Sequence, residues 1–177
     1  MSRFPLRELT EIALMTALAT VFDHLKLFDM PQGGSVTLVM LPIIFIGLRR
    51  GLRAGLLTGL FVGLIQLIFG GFFLNPLQVL LDYILAMLSV GVAGFWRGKS
   101  TLSALTVAVF AASALRLLSN FLSGVIYYGS YAPKGTPVWL YSLIYNASYI
   151  VPAGILSAVV LVILSAVSPR LFHINHI

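Results

Sequence analysis

Hydrophobic and polar positions alternate along this chain as long apolar runs separated by short polar breaks. The first run covers about Leu9 to Leu27, behind Arg3 and Arg7, with Thr10 or Ser2 placed to cap it. Its small residues Ala13, Ala17 and Thr20, with Thr16 and Ala19 beside them, recur three and four apart, a spacing that lets a second helix approach closely. Asp29, Met30, Pro31, Gln32, Gly33 and Gly34 then stop the helix. Val36 to Leu48 is a shorter run that ends in Arg49, Arg50, Gly51 and Arg53. Ala54 to Phe69 carries Gly55, Gly59 and Gly63, and this four-residue spacing predicts a smooth packing face. Gly70, Gly71, Asn75 and Pro76 make the next turn. Leu77 to Trp96, closed by Arg97 and Lys99, is the fourth run; Leu102 to about Tyr128 is the fifth; Val138 to Val167, followed by Pro169 and Arg170, is the sixth. The pattern predicts six helices in one domain spanning 1–177, with no internal repeat.

Composition turns those helices into membrane spans. Of 177 residues, 59% are hydrophobic and 9% charged, and the mean hydropathy is +1.02. A soluble domain carries about 25% charged residues, so this chain cannot build an ordinary wet surface. An all-α, multi-pass protein of the cell membrane is expected, with about 20 residues for each span in the lipid bilayer. Glu8 and Glu11 open the first run and no small-residue cleavage site comes after them, so that segment reads as a retained helix.

The net charge of +6 fits topology signals better than nucleic-acid binding, because the basic residues sit in short clusters between apolar runs. With both termini cytoplasmic, Arg3, Arg7, Arg49, Arg50, Arg53, Arg97, Lys99 and Arg170 fall inside, and Lys26 and Lys134 outside. That positive-inside bias supports an even number of spans. It places loops 28–36, 70–75 and 129–137 together on the outer face.

Polar residues where lipid would want Leu or Val define the candidate site. An unpaired polar group in hydrocarbon costs several kcal/mol, roughly. The stretch from Asn120 to Pro152 is rich in them, with Tyr127, Tyr128, Tyr131, Tyr141, Tyr145, Tyr149, Trp139, Asn120 and Asn146. Asp82 counts as the one carboxylate inside an apolar run, a placement that costs about 2.5–3.5 kcal/mol and points to function. Tyr83 is its neighbour, and Gln78 precedes it by one turn. Arg116 and Asn120 share a helical face that Gly124 extends, and Tyr141 and Asn146 lie on one side of the sixth helix. The bland alternatives are an Asp82–Arg116 ion pair, a tyrosine hydroxyl capping Asp82, an interhelical hydrogen bond for Asn146, and an interfacial aromatic belt for the tyrosines and Trp139. The convergence of all of them on one membrane face favours a pocket for something flat, polar and partly aromatic.

Other chemistry finds little support. There is no Cys, and His24, His173 and His176 are scattered at the ends of elements, so no metal or other cofactor is expected. No glycine-rich phosphate loop with its lysine is present, and no nucleophile–base set suggests an enzyme. A small ion channel, with Asp82 and Arg116 as its polar path, is the rival from a different class.

The segments MPQGGSVTL at 30–38, LRRGLRAGLLTGL at 48–60, LLDYILA at 80–86 and YGSYAPKGTPVWLYSLIYNASYIVP at 128–152 make the chain similar to the thiamine-binding S component (ThiT-type) of energy-coupling factor transporters. The resemblance spans nearly the whole chain. It implies a six-helix subunit that captures a vitamin from outside and docks on a transmembrane T subunit carrying two ATPases. Docking would use an Ala-x-x-x-Ala face of the first helix, matched by Ala13 and Ala17. The resemblance assigns the ring-binding acid to Asp82, with Tyr83 next to it, and the residues holding the aminopyrimidine to Tyr141 and Asn146. It assigns the stacking aromatic to Tyr128, a basic residue near the ligand's tail to Arg116, and a glycine giving the ligand room to Gly124. Where many members have a histidine this chain has Asn120, which donates or accepts but cannot become charged. A first-loop tryptophan of some members is replaced by Gly33 or Gly34. The implied ligand is thiamine, with another vitamin or a hydroxymethylpyrimidine precursor as the nearest alternative.

Overall fold

The computed structural model describes residues 5–30 and 33–172; Ser2, Arg3, Pro31, Gln32, His173 and His176 lie outside the described residues. Six helices dominate among them: α1 (Leu6–His24), α2 (Met40–Arg50), α3 (Leu52–Ile68), α4 (Pro76–Trp96), α5 (Leu102–Tyr127) and α6 (Val138–Val167). Three of these, α4, α5 and α6, are long and apolar enough to cross a membrane. Leu14, Phe61, Phe110, Ile126, Ile155 and Ile163 project outward and exposed, the apolar girdle that lipid contact requires and water would penalise.

Helix α1 starts after Pro5, whose ring suits a helix entrance, and no side chain caps it. Thr10, expected as a cap, lies inside the helix and donates its hydroxyl to the Leu6 carbonyl at 3.0 Å. Beyond α1 the chain forms a small hairpin, β1 (Phe28–Asp29) pairing antiparallel with β2 (Ser35–Val36). The hairpin takes Val36 out of the second run. That run becomes helical only from Met40 and continues through Arg50. Nearly every residue of α2 is buried, and Ile43, Ile44 and Leu48 are fully enclosed. At ~1.5 Å per residue an 11-residue helix is too short to span a bilayer. It forms the core around which the other helices stand.

Gly51, at φ 99°, turns α2 directly into α3; only glycine takes that conformation without strain. The glycine face of α3 then packs against α4. A Cβ built on Gly55, Gly59 or Gly63 would strike the carbonyl oxygen of Gly91, Met87 or Tyr83 in turn. The four-residue repeat on one helix meets a four-residue repeat on the other, so the backbones touch.

Helix α4 is not uniform. Asn75 caps it, accepting from the Leu77 N–H at 2.9 Å, with Pro76 at its first position. An α-turn gives way to a π-helical segment at Leu80–Leu85, then to Ala86–Val90 in α form and to a 3₁₀ segment at Gly91–Trp96. The basic residues cluster at the opposite end of the bundle from the hairpin. There Glu11 of α1 accepts from Arg49 Nε at 3.1 Å and from the Arg50 guanidinium, and Arg49 also donates to the Leu171 carbonyl.

Candidate functional site

At the hairpin end Lys26, Gly33–Ser35, the turn at 69–72, Tyr128 and Tyr131 border a cavity of about 400 Å³. Asp82, Tyr83, Arg116, Asn120, Gly124, Tyr128, Tyr141 and Asn146 all line it. Turns of α4, α5 and α6 therefore present their polar side chains to one space, as their helical spacing predicts. Trp139 does not join them. It is 54% exposed and stays off the cavity wall, as does Tyr127, so for these two the aromatic-belt alternative is the better description.

Asp82 sits within the π-helical segment of α4. A π-turn widens the helix and shifts the register of the residues beyond it, a distortion common at functional sites. The Ser119 hydroxyl of α5 reaches across to the Leu81 carbonyl at 2.7 Å and fixes that segment. One oxygen of Asp82 accepts from Gln78 Nε2 at 2.7 Å and from the Tyr128 hydroxyl at 3.3 Å. Tyr128 lies just beyond α5, and burial pushes its phenol above the ordinary range, so it keeps the proton it donates. Gln78 is wholly buried and also accepts from the Leu74 N–H at 3.1 Å. The Tyr83 hydroxyl takes the Phe72 N–H at 2.6 Å. Both side chains thus anchor the 70–75 loop, and Tyr83 also forms part of the wall.

The opposite wall is a relay of amides and phenols between α5 and α6. Asn120 Nδ2 donates to the Tyr149 hydroxyl at 3.0 Å, and Tyr149 donates onward to Asn146 Oδ1 at 2.6 Å. Asn146 Nδ2 is held by the Ser142 carbonyl at 2.9 Å. Every member is buried or half-buried, so each hydrogen bond fixes the next. Tyr141, Tyr145 and Tyr149 form a ladder along α6, with ring centroids 6.0 and 5.9 Å apart. Gly124 is required by this packing: a Cβ there would strike the Ser142 hydroxyl and come within 3.3 Å of Asn146 Nδ2.

Arg116 forms no ion pair with Asp82; among the described residues its Nε is buried with no hydrogen-bond partner. Asn120 Oδ1 and Gln66 Oε1 are buried and unpartnered in the same way, and all three residues line the cavity. The structure therefore sets aside the counter-ion alternative for Asp82 and leaves the tyrosine one in place, through Tyr128. It also corrects the standing of Asp82 as the one carboxylate in an apolar run. Glu11 and Asp23 both lie within the first run, and Asp23 lines the cavity. Gln66, Gly34, Tyr145 and Tyr149 line it too. Tyr149 and Tyr145 had a signal in their four-residue step along the Tyr-rich face; Gln66 and Asp23, near the ends of their helices, had none beyond being polar.

A family model described as Thiamine transporter protein (Thia_YuaJ) matches residues 9–173. The chain belongs to this family. It is 45% identical over 178 residues to the thiamine transporter ThiT of Bacillus subtilis (strain 168), covering 92% of each. It is 31% identical to the ThiT of Lacticaseibacillus paracasei, covering 92% of this chain and 88% of that protein. A solved structure of ThiT from Listeria monocytogenes superposes with a TM-score of 0.86 at 28% identity, over 96% of this chain and 98% of that one. An all-α, multi-pass membrane protein of the thiamine transporter family is what sequence and fold together describe.

Proposed function

We propose that the cavity binds thiamine and that the protein is the substrate-capturing S component of an energy-coupling factor importer. The observation that carries this reading is the donor–acceptor layout of the walls. A planar aminopyrimidine offers an amino group and ring nitrogens. Asp82 and the unpartnered Asn120 Oδ1 would accept from the amino group, and Tyr141 and Asn146 would hold the ring. The thiazolium carries a fixed positive charge, which the faces of Tyr128 and the α6 tyrosines stabilise by ~0.5–2 kcal/mol according to desolvation. Arg116 would donate to an oxygen at the ligand's tail. A volume of about 400 Å³ suits a molecule of this size.

Orientation and docking are supported by the surface. The basic end, with Arg49, Arg50 and Arg97, would face the cytoplasm under the positive-inside rule, so the cavity would open to the outside. Ala13 and Ala17 are exposed on α1 in an apolar groove with Leu9, Ile12, Phe61 and Ile65. Small residues there allow close helix approach, which suits docking on the transmembrane T subunit. Hydrolysis of ATP would belong to the two ATPase subunits beside it, leaving this chain a binding protein and not an enzyme.

Calorimetric titration of the detergent-purified protein with thiamine tests the reading. Saturable one-to-one binding, displaced poorly by hydroxymethylpyrimidine, is expected. Displacement by the precursor at equal concentration would make the precursor the ligand.

A further inference from the structure

Once Asp29, which pairs with Lys26, is counted, the charges around the cavity do not balance. Its charged lining residues are Asp23, Lys26, Asp82 and Arg116. Lys26 is engaged at the rim by Asp29, Nζ to Oδ2 3.0 Å. His24 turns its Nδ1 to the Thr20 carbonyl at 2.9 Å and packs its ring perpendicular to Phe69. Two carboxylates then face one guanidinium, an excess of one negative charge.

The second carboxylate is oddly placed for the helix that bears it. Asp23 lies in the last turn of α1, where the partial negative charge of a helix C-terminus disfavours an acid. Its position therefore costs α1 stability. Asp23 lines the same cavity as Arg116 and Tyr83. Asp82 accepts only from the neutral Gln78 and Tyr128, so its charge is not cancelled within the protein. Meanwhile Arg116 Nε lacks an acceptor and Gln66 Oε1 lacks a donor. An alcohol supplies both a donor and an acceptor. A phosphate ester supplies acceptors alone and brings negative charge towards Asp23.

Resting on the thiamine reading above, we infer that Asp23 is a specificity-determining residue, selecting a singly cationic ligand with a free hydroxyl over its phosphate esters. Its carboxylate completes the negative excess that a thiazolium neutralises, and it repels the charge a phosphate would add.

Dissociation constants for thiamine and thiamine monophosphate, measured on the unmodified protein and on Asp23→Asn, Asp23→Ser and Asp23→Glu, decide the matter. In the Asn and Ser variants the preference for thiamine over its monophosphate is expected to fall about tenfold or more, with thiamine weakened and the ester weakened less or strengthened. Asp23→Glu keeps the preference. Thermal stability of Asp23→Asn holds or rises, because an unfavourable helix-end charge is removed. An equal loss for both ligands, or an unchanged ratio in both neutral variants, overturns the inference. Should the unmodified protein bind no thiamine at all, the underlying reading fails first, and that result is distinct.

Discussion

The Gly34 N–H donates to the Tyr145 hydroxyl at 3.0 Å, joining the first loop to α6 across 111 residues of sequence. Tyr145 thereby serves twice, as a rung of the aromatic ladder and as the anchor of the loop above it. A Cβ on Gly34 would come within 2.8–2.9 Å of the Tyr149 ring and the Tyr145 hydroxyl, closer than real side chains pack. Gly34→Val should lift the loop from the tyrosines. Stopped-flow binding is expected to show faster thiamine release, about tenfold, with a smaller effect on association, since interface changes act mostly through dissociation. An unchanged release rate would mean that the loop does not cover the ligand.

Asp82 is held by two neutral donors, Gln78 and Tyr128, which leaves its charge for a ligand. Hydrogen bonds to charged groups contribute about 1.5–3 kcal/mol. Asp82→Asn should therefore weaken thiamine binding by roughly 10- to 100-fold, measured by calorimetry on a protein whose circular dichroism is unchanged. Full affinity in the variant would remove Asp82 from the site.

Tyr149 lines the cavity and its hydroxyl also holds Asn146. Removing its hydroxyl strands Asn146 Oδ1, and a buried unsatisfied acceptor costs about 1–3 kcal/mol. Tyr149→Phe is expected to lower the melting temperature by a few degrees and to weaken thiamine binding roughly tenfold. Loss of stability with intact affinity would make the relay purely structural.

The α3–α4 interface is predicted to tolerate nothing larger than glycine. A methyl group on Gly59 would strike the Met87 carbonyl, and overpacking typically costs about 1–3 kcal/mol. Thermal unfolding of Gly59→Ala should start roughly 3–10 °C lower. Because that interface carries Tyr83, affinity should fall with it.

Docking and capture separate on the surface of α1. Ala17→Trp fills the apolar groove without touching the cavity, so thiamine affinity should be retained while vitamin uptake by cells is lost. Retained uptake would place the partner surface elsewhere.

How much of this was legible in the sequence depends on the kind of signal. The glycine face of α3 was readable because close packing of two helices demands small residues every four positions, and it registers on Tyr83, Met87 and Gly91 as expected. The eight candidate residues were readable because each is polar, or in the case of Gly124 small, in a setting where burial without a ligand or partner is costly. Three features left no such trace. The π-helical segment at Leu80–Leu85 depends on a hydrogen bond from Ser119 to a carbonyl, a long-range contact with an ordinary local sequence. The burial of α2 reflects its place among the other helices, and its apolar run alone reads equally well as a short lipid-facing span. Asp23 sits where a helix meets a loop, and there an acid reads as solvated until the fold shows it lining the cavity. Trp139 misled in the other direction, being aromatic and near the site in sequence yet turned outward.

The central claim is that thiamine occupies this cavity, and a structure of the protein with thiamine bound tests it most directly. The aminopyrimidine is expected between Asp82 and Asn146, the thiazolium against the tyrosine faces, and the hydroxyethyl oxygen towards Arg116. Thiamine bound outside the cavity, or inside it with no polar contact to Asp82 or Asn146, would contradict the claim.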